Sequence, residues 1–153
     1  MITDFQNTIG YVDVKSSPIY FYAQRTAFYA TVNTVIPFDR LRLNLGNAMN
    51  SNGVFVAPKS GKYFFSFSAI SNANTIGRVD LQMKTSTSDW FKIAQAFGQT
   101  TFQTLTLQST LQLTSGDQMR LVLREGAIHD SNDLQFYGPW THFVGWLIEE
   151  DMF

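Results

Sequence analysis

An all-β sandwich is the fold this sequence predicts, on three observations. Apolar and polar residues alternate with a period of two along most of the chain. Clusters of Gly, Asn, Asp and Ser interrupt that alternation at short intervals, and no window of similar length keeps helical spacing. Many short strands joined by tight turns pack as two sheets face to face. A chain of 153 residues suits one domain and buries roughly 70% of its unfolded surface, enough for a core without covalent staples.

Taken in order, the first ~20 residues carry the least pattern and read as an extended lead-in. Ala27 to Ala30 and Tyr63 to Phe67 are apolar on successive positions, with turn clusters at Gly46 to Gly53 and Ser71 to Thr75. Val79, Leu81 and Met83 then alternate with Asp80, Gln82 and Lys84, and a turn at Thr85 to Asp89 follows. Leu105, Leu107, Leu111 and Leu113 alternate with Thr104, Thr106, Gln108, Thr110 and Gln112, the pattern of a half-buried strand. After the turn at Thr114 to Asp117, Met119, Leu121 and Leu123 alternate with Gln118, Arg120 and Arg124. Glu125 to Asp133 reads as a loop, and Phe143 to Ile148 as the closing strand.

Three of these segments, 27–30, 63–67 and 143–148, carry large apolar groups on both faces. A strand apolar on both sides must be covered on both sides. One face packs inside the sandwich; the other implies a partner surface or cover by long loops. By alternation Tyr63, Phe65 and Phe67 share one face and Phe64 takes the other.

The stretch 38–67, FDRLRLNLGNAMNSNGVFVAPKSGKYFFSF, together with Leu111 to Gln118 and with Thr141, Phe143, Gly145 and Leu147, resembles the globular head domain of complement component C1q. The residues that carry the resemblance are Phe28, Phe38, Asn44, Gly53, Phe55, Pro58, Gly61, Tyr63, Phe65, Phe67, Gly116, Asp117, Phe143 and Gly145. It spans 26–153, leaving 1–25 as lead-in. The resemblance implies a ten-strand jelly roll of the C1q and tumour-necrosis-factor type, assembled as a homotrimer, secreted, and without the collagen stalk of many relatives, since no Gly-X-Y run is present. It makes Tyr29, Phe64, Val144 and Trp146 candidates for the trimer interface. The glycines and proline have structural readings: Gly53 and Gly61 for positive φ at strand boundaries, Pro58 for an extended turn, Gly116 for a hairpin, and Asn44 as an amide satisfying loop backbone groups.

Composition narrows the function. A net charge of -1, with 11 basic residues scattered among 12 acidic ones, disfavours nucleic acid. No apolar run approaches the ~20 residues of a membrane-spanning helix. The absence of cysteine removes disulfides, thiolate nucleophiles and cysteine-ligated metals. With His129 and His142 as the two histidines and no GxSxG, HExxH or phosphate-loop motif, an enzyme is the least favoured class. Family members that hold calcium near the threefold axis use aspartates where this chain has Ile93 to Gln108, which contains four glutamines and no carboxylate. Amides replace carboxylates poorly around a hard cation, so no cofactor is expected.

Ligand-loop candidates are Trp90, His129, Asp130, Asp133, Tyr137 and Trp140, which lie at turns. Each has an ordinary alternative: packing for the aromatics, a solvated turn or weak cation binding for the loop at Asp130 and Asp133. Three roles stay open at this level: lectin-like pattern binding in innate immunity, a cytokine-like or synaptic-organiser-like receptor ligand, and a structural trimeriser. The first is favoured by family analogy.

Overall fold

A computed structural model describes residues 18–99, 101–133 and 135–152; residues 1–17 of the expected lead-in lie outside that range. The described strands are β1 (Tyr20–Gln24), β2 (Thr34–Val35), β3 (Arg40–Leu45), β4 (Phe55–Val56), β5 (Gly61–Ser71), β6 (Gly77–Thr85), β7 (Ser88–Gly98), β8 (Thr104–Leu113), β9 (Gln118–Glu125), β10 (Ile128–His129) and β11 (His142–Glu150). They form two antiparallel sheets. One runs β10-β5-β11-β1-β3 with β8 also on β5, and the other β2-β9-β6-β7 with β4 also on β9. The expected jelly roll is therefore present, and counting the two-residue β2, β4 and β10 brings the described strands to eleven.

β1 corrects the boundary placed at residue 26. Tyr20 to Gln24 pairs with β11 on one side and β3 on the other, inside the first sheet. Its alternation, Phe21 and Ala23 in and Tyr20 and Tyr22 out, is too short to stand out beside an unpatterned lead-in.

β5 follows the expected alternation. Tyr63, Phe65 and Phe67 are fully buried, whereas Phe64 lies on the opposite face, against Trp146 at a ring separation of 4.7 Å. Between the sheets, Phe55 meets Phe21 at 5.5 Å, Tyr63 at 5.5 Å and Phe65 at 5.1 Å, and Phe143 meets Phe21 edge-on at 5.1 Å. Each such ring contributes about 1.5–3 kcal/mol of burial, and each tilted pair about 0.5–1.5 kcal/mol beyond it. Gly145 leaves room for this cluster: a Cβ there would lie 2.5 Å from Phe21 and 2.9 Å from Phe65.

Gly53 has the expected left-handed backbone (φ 88°). Gly61 does not appear among the positive-φ residues; a side chain there is excluded because its Cβ would collide with the Glu149 carbonyl oxygen. Asn44 meets its expectation, donating through Nδ2 to the Met49 carbonyl at 2.7 Å and accepting from the Met49 amide at 3.3 Å.

Two patterns read differently in three dimensions. Asp80 and Gln82 of β6 do point away from the core, yet they are buried. Arg124 Nε donates to Asp80 at 2.9 Å, Gln95 Nε2 donates to it at 2.6 Å, and Arg120 Nε donates to Gln82 at 2.8 Å. Long side chains from β7 and β9 close over the central strand, a cover that alternation along one strand does not register. In β3, Leu41, Leu43 and Leu45 would share a face in a regular strand, but the register against β1 shifts between Tyr22 and Ala23. Arg42 is the extra residue. Leu41 packs on the core, while Leu43 and Leu45 are 50% and 43% exposed opposite Tyr22 and Tyr20.

Burial pushes the Tyr63 hydroxyl up to about 12, and it donates to the Lys59 carbonyl at 2.6 Å. Because the folded pKa is raised above that of the unfolded chain, the stabilisation is complete below pH ~10 and is lost as pH rises through about 12. Denaturant titrations across that window should show a loss on the order of 2 kcal/mol in the native chain, and Tyr63→Phe should lack this component. An unchanged alkaline profile in Tyr63→Phe would assign the loss to other groups.

Candidate functional site

The outward face of the first sheet is built from cross-strand rows. Leu45, Tyr20, Trp146, Phe64 and Thr110 lie side by side across β3, β1, β11, β5 and β8. The next row is Leu43, Tyr22, Val144, Ser66 and Gln108. Between β1, β3 and β11 these rows enclose a concave apolar recess of about 470 Å³ lined by Tyr20, Tyr22, Leu43, Val144 and Trp146. Tyr20, Leu43, Leu45, Trp146 and Ile148 are all exposed. Of the sequence-derived interface candidates, Phe64, Val144 and Trp146 belong to this face.

Tyr29 does not. Its ring packs against the core beneath the Arg25 guanidinium, 4.7 Å from the ring centroid, and its hydroxyl hydrogen-bonds Thr34 Oγ1 and the Val35 carbonyl. Phe28, expected as a fold-bearing residue, is 49% exposed. The pair is turned opposite to the reading because it lies outside a regular strand, where Tyr29 makes an isolated bridge to Ile128.

The third row changes character. Arg40, Gln24, His142, Ser68 and Thr106 cross the same face. Tyr22 Oη lies 2.5 Å from His142 Nδ1, and Arg42 Nε donates to Gln24 Oε1 at 2.5 Å. The face thus runs from apolar to polar along the strands.

Beyond this polar strip lies a second recess of about 490 Å³, lined by Ile70, Phe102, His129, Tyr137 and Trp140. β10 and β11 both pair with β5, at Ile70–Ser71 and at Gly61–Ser68, so the 130–141 segment leaves that strand edge and returns to it. His129, read as part of a loop, belongs to β10. Its ring lies 4.9 Å from Phe102 and 5.0 Å from Trp140. Tyr137 is 64% exposed at the rim. Sequence reasoning missed Phe102; its signal was a large ring at a turn, where it adopts φ 57°.

The remaining candidates separate from this recess. Trp90 lies under the Arg120 guanidinium, 3.9 Å from the ring centroid, on the second sheet. Asp130 is buried, and its carboxylate accepts from the backbone amides of Ser131 at 2.8 Å, Trp140 at 3.1 Å and Thr141 at 2.9 Å. Asp133 accepts from the amides of Gln135 at 3.0 Å and Phe136 at 3.1 Å. Both aspartates shape the loop from within. Among the described residues no group of three or more His, Asp or Glu side chains is arranged to hold a metal ion.

Comparison with known proteins agrees with this geometry. The family model described as C1q domain matches residues 20–148. The chain belongs to the C1q domain family. This C1q domain is 30% identical over 141 residues to zebrafish (Danio rerio) Caprin-2, covering 86% of this chain and 14% of that protein. It is 26% identical over 133 residues to mouse (Mus musculus) complement C1q tumor necrosis factor-related protein 3, covering 86% of this chain and 52% of that protein. The chain thus spans about half or less of these relatives. Among solved structures it superposes on the globular domain of zebrafish complement 1qA with TM-score 0.68 and 15% identity, covering 87% of this chain and 99% of that one. With murine APRIL the values are 0.65 and 12%, covering 85% and 98%. At these identities the superpositions report the shared jelly roll. The match beginning at residue 20 coincides with the start of β1.

Charge-assisted bonds to backbone amides contribute about 1.5–3 kcal/mol each before non-additivity. Asp130→Ala should therefore cost about 2–4 kcal/mol in chemical denaturation and raise hydrogen exchange at Ser131, Trp140 and Thr141. Unchanged protection at those three amides would show that the carboxylate does not organise the loop.

Proposed function

We propose that this C1q domain assembles as a homotrimer and works as a secreted recognition module, lectin-like, that binds microbial or cell-surface patterns in innate immunity through its loops. The supporting observation is the outward apolar face. Tyr20, Leu43, Leu45 and Trp146 are exposed together around one recess, and contiguous apolar surface of this kind marks a protein contact. Removing such surface from water contributes about 25 cal/mol per Å² before association costs. In a jelly roll whose interior is already filled by the Phe21, Phe55, Phe65 and Phe143 cluster, a neighbouring copy is the natural cover for this face.

The reading is of a binding domain and not of an enzyme. Of the polar groups weighed for chemistry, Asp130 is committed to backbone amides and His142 to Tyr22, while His129 lies in ring contact with Phe102 and Trp140. No helix among the described residues is long and apolar enough to cross a membrane.

Light scattering at low concentration should give three times the chain mass, with and without a chelator. Trp146→Asp and Tyr20→Asp should shift the protein to monomer while leaving far-ultraviolet circular dichroism intact. A monomeric native chain removes the trimer reading, and a trimer lost on chelation reinstates a cation at the assembly axis. Binding to bacterial surfaces or a glycan array by the trimer supports the pattern-binding role. Capture of a single cell-surface protein with no glycan bound would replace it by a receptor-ligand role.

A further inference from the structure

The recess formed by Phe102, His129, Tyr137 and Trp140 has three properties that together specify a ligand. Its lining is four rings and Ile70, with the Phe102, His129 and Trp140 rings in successive contact at 4.9 and 5.0 Å. Its polar atoms are uncommitted: the Tyr137 hydroxyl, Trp140 Nε1 and the His129 ring nitrogens have no hydrogen-bond partner among the described residues. Finally, none of the residues that line it is a Lys or Arg, and neither 99–108 nor 126–142, which supply four of the five, contains one. A volume of about 490 Å³ falls in the range of small-molecule sites.

From these we infer that the recess is a binding site for a neutral saccharide, with the C–H face of a pyranose ring stacked on the aromatic lining and its hydroxyls taken by Tyr137, Trp140 and His129. The inference rests on the reading of the chain as a pattern-binding module and gives that reading a location and a ligand class. A saccharide presents an apolar face and a hydroxylated edge, which matches a lining that pairs ring faces with free donors and acceptors. No Lys or Arg lines the recess, so an anionic ligand would find no cation there. A purely apolar ligand would bury the three polar groups without partners, which is costly.

The site is also distinct from the proposed trimer face. The row of Arg40, Gln24, His142, Ser68 and Thr106 separates it from the apolar recess at Trp146. It therefore stays open when the apolar rows pack against a neighbour, one site per chain, which gives a trimer the multivalency that weak single-sugar binding needs.

The test uses the full chain and the methyl glycosides of glucose, galactose and N-acetylglucosamine, with binding read by saturation-transfer NMR and isotherms, alongside a glycan array containing neutral, sialylated and phosphorylated glycans. Tyr137→Ala and Phe102→Ala alter exposed rings and should leave the fold and the assembly mass unchanged while weakening neutral-sugar binding at least ~10-fold; Trp90→Ala, on the other sheet, should bind as the native chain does. Neutral glycans bound equally by the recess variants would overturn this site and leave the lectin-like reading standing. No glycan bound by the native chain would overturn both. Preference for sialylated or phosphorylated glycans would overturn the ligand class, and dissociation of Tyr137→Ala into monomers would reassign the recess to the subunit contact.

Discussion

Between the two sheets the rings of Phe21, Phe55, Phe65 and Phe143 meet tilted or edge to face, with Tyr63 stacked beside Phe65 at 6.3 Å. This cluster draws on β1, β4, β5 and β11, so it ties the second sheet to the centre of the first through one ring, Phe55. It also sets the direction of every other side chain on those strands. Once Tyr63, Phe65 and Phe67 are inside, Phe64 must point out, and once Phe143 is inside, Val144 must too. Gly145 completes the constraint, since any side chain there would displace Phe21 and Phe65.

The outward face is a consequence of that packing combined with a single irregularity. Without the bulge at Arg42, Leu43 and Leu45 would join Leu41 toward the core and the face would end at Tyr20 and Tyr22. The extra residue reverses the two leucines and extends the apolar rows across β3. Apolar surface is then concentrated at the Leu45–Thr110 row and gives way to a hydrogen-bonded strip around Gln24, Arg42 and His142. The proposed assembly contact and the proposed ligand recess therefore fall on different parts of one face.

The charged groups of the second sheet follow a different rule. Asp80 is buried with Arg124 and Gln95, so each of its carboxylate oxygens accepts a hydrogen bond and its charge meets a guanidinium. A buried carboxylate without them would be strongly destabilising. By contrast, Lys59–Glu150 and Lys62–Glu149, each at 3.6 Å, are partly or largely exposed pairs where β11 ends beside the start of β5 and contribute little. Glu149 and Glu150 are thus loosely paired with β5 and the segment before it, at the ends of two strands that are each hydrogen-bonded on both sides.

Alternation, turn chemistry and spacing were enough by themselves to determine an all-β sandwich, the inward set of β5 and the capping role of Asn44, because each depends on residues five positions or fewer apart. What neighbouring strands supply was not written locally. β1 is short and took its place only by pairing with β3 and β11, β7 is an edge strand exposed on much of its length, and the burial of Asp80 and Gln82 comes from arginines on β9. The recess likewise joins Phe102 to His129, Tyr137 and Trp140 across segments remote in sequence. Its rings were visible one by one as exposed aromatics at turns, but their convergence was decided by the return of the 130–141 segment to the edge of β5. Side-chain periodicity reports which way a strand faces; which strands meet, and where a bulge reverses them, is decided by long-range pairing and packing.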